Sequence, residues 1–222
     1  MQPAWPQDVV KPFAAPVYAA GAMAVLGGNL APNGALIKQA AARQSLLQHT
    51  GRAVVFDTLA DLAARIDSDD LDVHADDVLV LRNAGPKGAP GMPEAGYIPI
   101  PRKLLRAGVT DMVRISDARM SGTAFGTIVL HISPEAAEGG PLALVRSGDQ
   151  IKLDTANRTI DVVLSDAELT KRKQKLKKPP TVTRRGYEKL YFDTVTQAEQ
   201  GCDFDFCIPP ITTTIPVSKT RK

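Results

Sequence analysis

The hydrophobic positions of this chain fall into short, β-branched runs that are bounded by glycine, proline, asparagine or aspartate. Such runs predict β-strands, because branched side chains pack well on a pleated surface and the bounding residues favour turns. Eight runs fit the pattern: Ala22–Leu26, Ala53–Phe56, Val78–Leu81, Met112–Ile115, Thr127–His131, Leu142–Val145, Gln150–Leu153 and Thr159–Val163. With many short strands and few helices between them, we predict a β-rich α+β domain rather than a βαβ alternation.

Longer-period apolar patterns predict four helices. They begin at Thr58, Pro101, Ser165 and Tyr187, and the last of them extends to about Gln200. A threonine or serine at the start of the first and third, with an acidic residue three positions later, is typical of a capping box. The third helix is expected to run into a lysine- and arginine-rich stretch and to end at the two prolines that follow it.

Composition narrows the class of protein. The 222 residues are 44% hydrophobic and 23% charged, which is ordinary for a globular domain. No apolar run approaches the roughly 20 residues that span a bilayer, and the start lacks a signal-peptide pattern, so we expect no membrane association. Two cysteines are too few for a disulfide framework and favour a cytoplasmic location.

Charge is concentrated late in the chain, where nine Lys or Arg and one acid lie between residues 171 and 190. A basic run can bind nucleic acid, but this one begins inside a predicted helix and has no interleaved aromatic residues. We therefore interpret it as a solvated helix face and linker, with no nucleic-acid partner.

The predicted organisation is a single domain with appendages. Residues 1–20, which are rich in Pro and Ala, are expected to form a linker. Residues 21–165 form the strand-rich core and residues 166–206 the C-terminal helices of the same domain. Residues 207–222, with two prolines and a threonine run, are expected to form a disordered tail.

The first candidate loop for chemistry is Gly85-Pro-Lys-Gly-Ala-Pro-Gly-Met-Pro-Glu94. A phosphate-binding loop needs Gly-Lys-Ser/Thr running directly into a helix, whereas here Lys87 precedes the second glycine and two prolines block a helix start. Two readings stay open from the residues alone. Glu94 is either a solvated carboxylate on a turn or an oxygen ligand of the kind that a hard divalent cation prefers.

The second loop is Ser116-Asp-Ala-Arg-Met-Ser-Gly-Thr-Ala-Phe-Gly126, directly after a predicted strand. Ser121 lacks the Gly-x-Ser-x-Gly elbow and the partner histidine of a serine hydrolase. Ser121 and Thr123 can be ordinary turn-capping residues, or Ser121 can approach a ligand because a glycine follows it. Arg119 can bind a substrate carboxylate or pair with Asp117.

Together, these loops resemble the C-terminal domain of the dihydroxy-acid, phosphogluconate and sugar-acid dehydratase family. The resemblance covers roughly residues 15–206 and includes Gly27-Gly-Asn-Leu-Ala-Pro32, where Gly27 replaces a common arginine and Asn29 is a weaker candidate for substrate binding. The segment Gly201-Cys-Asp-Phe-Asp-Phe206 is similar to the sugar-acid (arabinonate- and xylonate-like) branch. The fold implied is a β-barrel-like swivelling domain with flanking helices.

The resemblance also implies a function, the dehydration of 2,3-dihydroxy acids, here aldonic sugar acids, to 2-keto-3-deoxy acids. Glu94 would bind Mg²⁺, Ser121 would act as the base that removes the proton from C2, and Thr123 would support it. A hydroxyl becomes a plausible base only beside a strong Lewis acid, which lowers its pKa.

The family's Fe–S cluster is held by cysteines of an N-terminal domain, and Cys202 and Cys207 cannot supply the three or four thiolates needed. We therefore expect the N-terminal Fe–S domain as a partner, no activity of the isolated chain, and a semi-polar patch around Glu94 and Ser121 that favours self-association or a homo-oligomer. The alternative function is a non-catalytic remnant or binding domain that retains the fold.

Overall fold

Eight strands form one sheet in the computed structural model, which describes residues 9–18, 21–121, 125–176 and 185–208. The strands are β1 (Ala24–Leu26), β2 (Gly34–Ile37), β3 (Gln48–Phe56), β4 (Val78–Leu81), β5 (Arg114–Ser116), β6 (Ile128–Ser133), β7 (Gln150–Asp154) and β8 (Thr159–Val162). Their order across the sheet is β1-β2-β6-β5-β4-β3-β7-β8.

The two outermost strands meet, so the sheet nearly closes into a barrel. Just after β1, the amide of Gly27 donates to the carbonyl of Arg158 at 2.9 Å, and the amide of Ile160 donates to the carbonyl of Gly27 at 2.8 Å. These bonds satisfy backbone groups that would otherwise be exposed at the sheet edge. The predicted fold class, a β-rich α+β domain with a barrel-like sheet, is confirmed.

The central strands are apolar on both faces because each face covers a different core. In β4, Val78 and Val80 point into the barrel, whereas Leu79 and Leu81 join a second core that includes Leu62 of helix α1. Strands that are buried on both faces read as continuous hydrophobic runs. This is why the Val78–Leu81 run predicts its strand to the residue.

Strands β3, β4, β5 and β6 are mutually parallel. Helix α1 (Leu59–Arg65) connects β3 to β4, so the expectation of no βαβ alternation is wrong for this half of the sheet. Short β-branched runs predict strands without predicting their relative direction, which depends on the connections. Because the four strands run the same way, the loops that follow them gather at one edge of the sheet, where ligands bind in open parallel sheets.

The other helices are α2 (Arg102–Arg106), α3 (Asp166–Lys175) and α4 (Gly186–Thr194). Both predicted caps are present: the hydroxyl of Thr58 accepts from the amide of Asp61 at 3.1 Å, and that of Ser165 accepts from the amide of Glu168 at 3.3 Å. Helix α3 ends at Lys175, before the prolines. Residues 177–184 and residues 209–222 of the predicted tail, which was expected to begin at residue 207, lie outside the described residues.

Two element predictions are wrong, and one strand was not predicted. The predicted strand Leu142–Val145 is a 3₁₀ helix over Pro141–Leu144 that buries Leu142 and Leu144, because a proline at the first position suits a helical turn. Strand β2 was not predicted, since its Gly34-Ala-Leu-Ile37 sequence is short and not β-branched until its last residue. Helix α4 ends at Thr194 rather than at the predicted Gln200. The next residue, the β-branched Val195, forms a bridge with Phe204.

The basic run is only partly a solvated face. The side chain of Arg172 is 9% exposed and pairs with the carboxylates of Asp149 and Glu168. It also donates to the carbonyl of Leu144 at 3.0 Å. Arg172 therefore fastens helix α3 to the barrel, whereas Lys173 beside it is exposed. In the part of the chain that the structure describes, no helix has the length and apolar character needed to cross a membrane.

We predict that Arg172→Ala lowers the free energy of unfolding by about 3 kcal/mol, because it leaves the nearly buried carboxylate of Asp149 without its partner. Lys173→Ala, one residue further along the same helix, should change it by less than about 0.5 kcal/mol. Urea denaturation of the two variants measures the difference. Equal losses would show that the ion pair does not fasten the helix.

Candidate active site

The candidate site lies at the carboxyl edge of the parallel strands. The loop after β4 carries Glu94, the loop after β5 carries Ser121, and the turn after β6 carries the buried Glu135. Side chains that are far apart in the chain meet here because the strands before them are adjacent in the sheet.

Glu94 and Arg119, both predicted site residues, are in contact. A guanidinium nitrogen of Arg119 lies 3.1 Å from the Glu94 carboxylate, and the two side chains are 45% and 50% exposed respectively. The Nε of Arg119 donates to the carbonyl of Met92 at 2.6 Å. An ion pair this exposed contributes at most about 1 kcal/mol, so the two groups can separate when a ligand competes for either.

Arg119 therefore pairs with Glu94 and not with Asp117, the partner considered from the sequence. Asp117 is turned inward, where its carboxylate accepts from the amides of Asn83, Ala84 and Ala136 at 2.9–3.1 Å. A single buried side chain thus joins the loop after β4, the loop after β5 and the turn after β6. Asp117 was not identified as a site residue from the sequence, where an aspartate after a strand is an ordinary loop residue.

Burial raises the pKa of Asp117 to about 6, and the nearby carboxylate of Glu135 adds to the rise, whereas the three amide donors act against it. Loss of hydration disfavours the charged form of a carboxylate, and so does a second negative charge close by.

The two candidate loops approach so closely at Gly96 that no side chain fits. The amide of Gly96 donates to the carbonyl of Arg119 at 2.7 Å. A Cβ atom on Gly96 would lie 2.2 Å from the Leu130 side chain and 2.8 Å from the Arg119 carbonyl oxygen. A glycine at this position allows the Glu94 loop and the Ser121 loop to lie side by side.

A second buried network fixes the base of the Ser121 loop. Asp111 pairs with Arg114 at 2.9 Å, and their side chains are 6% and 2% exposed. Asp111 also accepts from the amide and hydroxyl of Thr127, which closes the loop. Arg114 donates to the carbonyl of Tyr97 at 3.0 Å, and a Cβ atom on Gly126 would lie 1.9 Å from the guanidinium. The same ion pair therefore supports the ends of both loops.

Ser121 is half-buried and lies two residues after Arg119. Thr123, its predicted support, lies outside the described residues, so its placement stays a prediction. The exposed aromatic residues Tyr97 and Phe125 follow Glu94 and Ser121 in the two loops and are 45% and 66% exposed.

Asn29, the weaker substrate-binding candidate, contacts strand β8 instead of these loops. Its side-chain amide donates to the carbonyl of Val162 at 2.9 Å and accepts from the amide of Val162 at 2.7 Å. Both ends of the amide are thus occupied in joining the β1–β2 turn to β8. Its role in substrate binding stays a prediction.

The amides of the first glycine-rich loop bind a carboxylate of the protein itself. Glu135 is 1% exposed and accepts from the amides of Lys87 and Gly88 at 3.0 and 2.9 Å. A Cβ atom on Gly85 would lie 2.7 Å from the same carboxylate. This arrangement agrees with the sequence argument against a nucleotide loop, because the amides that would cradle a phosphate already hold Glu135.

The residues fit a divalent cation only in part. Glu94 offers a half-exposed carboxylate, but the described residues contain no group of three or more His, Cys, Asp or Glu side chains that could hold a metal ion. They do not fit an Fe–S cluster. The thiol of Cys202 faces the Met92 sulfur at 3.5 Å, and burial, followed by the charge of Glu135, raises its pKa. Cys207 is exposed.

A pocket of about 840 Å³ lies beside this site and not on it. It is lined by residues that include Asp57, Arg82 and Lys173, while Glu94 and Ser121 are not among them. Because the side chains of Glu94 and Arg119 are about half exposed, a second surface would be needed to enclose a ligand there.

The fold and the site define a class: a barrel-like domain in which two loops of a parallel sheet edge present a carboxylate, an arginine and a serine. A family model described as the dihydroxy-acid/6-phosphogluconate dehydratase C-terminal domain matches residues 8–202. The chain belongs to this family, as the sequence resemblance indicated.

Three relatives support the same assignment. The chain is 50% identical over 214 residues to an L-arabonate dehydratase of Azospirillum brasilense, covering 93% of this chain and 36% of the relative. It is 50% identical over 207 residues to a 6-deoxy-6-sulfo-D-gluconate dehydratase of Pseudomonas putida, covering 92% and 36%. A dihydroxy-acid dehydratase of Carboxydothermus hydrogenoformans is 40% identical over 198 residues, covering 89% and 35%. The chain thus spans about a third of the length of these relatives.

We predict that the Asp117 carboxyl titrates near pH 6. Its pKa is higher in the folded chain than the value of about 3.9 in an unfolded one, so the folded state binds this proton more tightly. The stabilisation is complete below about pH 4 and is lost as the pH rises through 6, by about 2–3 kcal/mol. Carbon-13 NMR of the Asp117 side-chain carboxyl measures the midpoint. A midpoint below pH 4.5 would contradict the prediction.

Proposed function

We propose that this chain is the base-bearing part of a hydro-lyase that dehydrates 2,3-dihydroxy acids, specifically aldonic sugar acids, to 2-keto-3-deoxy acids. The observation that carries the proposal is the meeting of two loops. Glu94 and Arg119 lie 3.1 Å apart, and Ser121 follows Arg119 by two residues. Two relatives that are 50% identical, an L-arabonate and a 6-deoxy-6-sulfo-D-gluconate dehydratase, support the sugar-acid class.

The proposed reaction breaks two bonds of the substrate. Ser121, as an alkoxide, takes the proton from C2, and the electron pair of that C–H bond forms the C2–C3 double bond while the C3 hydroxyl leaves. The resulting enol tautomerises to the 2-keto acid, so the overall change is the loss of one water. Abstraction of such a weakly acidic proton by a positioned base typically contributes a 10²–10⁴-fold acceleration.

Glu94 is the residue that would hold Mg²⁺. A divalent cation supplies positive charge that stabilises a developing enolate and lowers the pKa of a neighbouring hydroxyl. Because the Glu94–Arg119 pair is exposed and weak, Arg119 would be able to leave Glu94 and bind the substrate carboxylate in a bidentate way.

The remaining groups are proposed to come from an N-terminal Fe–S domain that docks against these loops. The half-exposed Glu94 and the exposed Tyr97 and Phe125 support a docking face here. Self-association or a homo-oligomer through the same face is part of this proposal. A second candidate function, a non-catalytic binding domain, is favoured by one observation: Arg119 neutralises Glu94 in this structure.

Ser121→Ala is expected to lower kcat at least about 100-fold in a dehydratase assembled from this chain and the N-terminal two thirds of the Azospirillum brasilense relative. The reason is the loss of the group that accepts the C2 proton. Release of the 2-keto-3-deoxy product from L-arabonate is the measurement. Ser45→Ala removes an exposed hydroxyl on a different turn and serves as the control. A kcat of the Ser121→Ala enzyme within tenfold of that of the unmodified enzyme would rule out the serine base.

The 222-residue chain alone is expected to produce no 2-keto-3-deoxy acid from aldonates, even with added Mg²⁺, because its residues do not fit an Fe–S cluster. The same product assay on the purified chain tests this. Turnover without any added Fe–S protein would contradict the expectation and would place the whole site on this chain.

A further inference from the structure

The C-terminal segment after helix α3 packs against the loop that carries Glu94. Three of its side chains reach the loop or its support: Tyr191 in helix α4, Gln197 and Cys202. The described loop residues 83–100 include no helix or strand of their own. A few backbone turn bonds, such as that from the amide of Ala89 to the carbonyl of Gly85, order the loop from within, and these side-chain contacts hold it from outside.

Tyr191 bridges the loop from one side to the other. Its hydroxyl donates to the carbonyl of Pro86 at 2.8 Å and accepts from the amide of Gly91 at 3.1 Å. A single oxygen atom therefore fixes two positions that are five residues apart. The ring itself packs edge-on against Phe204, with the ring centres 6.0 Å apart, so its location does not depend on the hydroxyl alone.

The bond to Gly91 lies three residues before Glu94 in the chain. Gly91 and Met92 both adopt positive φ, 80° and 48°, a conformation that is unfavourable for Met92 and must be held by its surroundings. The carbonyl of Met92 in turn accepts from Arg119, which pairs with Glu94. Contacts thus run without interruption from Tyr191 through this turn to the Glu94 carboxylate.

The other two contacts support the same loop. Gln197 donates to the carboxylate of Glu135 at 2.7 Å, the group that accepts from the amides of Lys87 and Gly88. The Cys202 sulfur touches the Met92 sulfur at 3.5 Å. Neither contact replaces the Tyr191 hydroxyl, because neither reaches Pro86 or Gly91.

We propose that Tyr191 is a positioning residue whose hydroxyl holds the Gly85–Glu94 loop and, through Met92 and Arg119, the Glu94–Arg119 pair of the candidate site. The catalytic consequence of this inference rests on the proposed function.

Tyr191→Phe tests the proposal because it removes one oxygen atom and keeps the ring against Phe204. Tyr187→Phe is the matched control, since Tyr187 lies one turn earlier in the same helix and is 91% exposed. In the full chain, amide hydrogen exchange at Gly91 should be at least about fivefold faster in Tyr191→Phe, as expected for one lost hydrogen bond. The two variants should melt at the same temperature. Unchanged exchange at Gly91 would overturn the proposal.

The positioning role is measured by kcat in the dehydratase assembled from this chain and the N-terminal two thirds of the Azospirillum brasilense relative. Tyr191→Phe should lower kcat for L-arabonate at least about tenfold relative to Tyr187→Phe, because a small misplacement of a site group is costly. Ser121→Ala separates the two claims. If it leaves kcat unchanged, the proposed function fails. If it lowers kcat while Tyr191→Phe does not, the positioning role is overturned and the proposed function stands.

Discussion

The candidate site depends on one buried carboxylate, that of Asp117. Its oxygens accept backbone amides from the loop after β4 and from the turn after β6, while its own backbone begins the loop after β5. The glycine- and proline-rich Glu94 loop has no helix or strand and only a few backbone turn bonds among its described residues, so the relative positions of Glu94, Arg119 and Ser121 depend in part on contacts of this kind. Leaving these three amides, two of them buried, without acceptors would be costly, which makes Asp117 a structural requirement of the site.

The parallel strands explain why such a carboxylate can act on three loops at once. Strands β4, β5 and β6 are neighbours in the sheet and run in one direction, so their C-terminal ends lie next to each other. A meander of antiparallel strands would send alternate loops to opposite edges. Burial on both faces, with one core in the barrel and another against helix α1, makes these central strands the most constrained part of the fold.

Much of this architecture could be predicted from the sequence, and the limits have physical causes. Strand β4 and the caps at Thr58 and Ser165 depend on local sequence, and they were predicted correctly. Strand direction, the 3₁₀ turn at Pro141–Leu144 and the early end of helix α4 depend on tertiary contacts, such as the bridge between Val195 and Phe204. No local pattern contains that information.

The same division holds for the site. Long motifs placed Glu94, Arg119 and Ser121 in two loops, and the structure brings the first two into contact. Arg119 pairs with Glu94 rather than with Asp117 because the carboxylate of Asp117 points into the protein. Sequence spacing does not reveal that orientation. The contribution of Tyr191, a hundred residues beyond Gly91 in the chain, requires a folded C-terminal segment, and a hydroxyl on an amphipathic helix gives no signal of its partner.

Glu135 gives the first glycine-rich loop an unusual character. Backbone amides that converge on one point form an anion-binding concavity, and here the anion is covalently part of the protein. The Glu135 carboxylate therefore cannot leave the loop, and its presence there does not depend on the ligands in solution. A glycine-rich loop that departs from the phosphate-binding pattern thus serves here as an internal brace, so a glycine-rich sequence alone does not distinguish a binding loop from one that has built in its own anion.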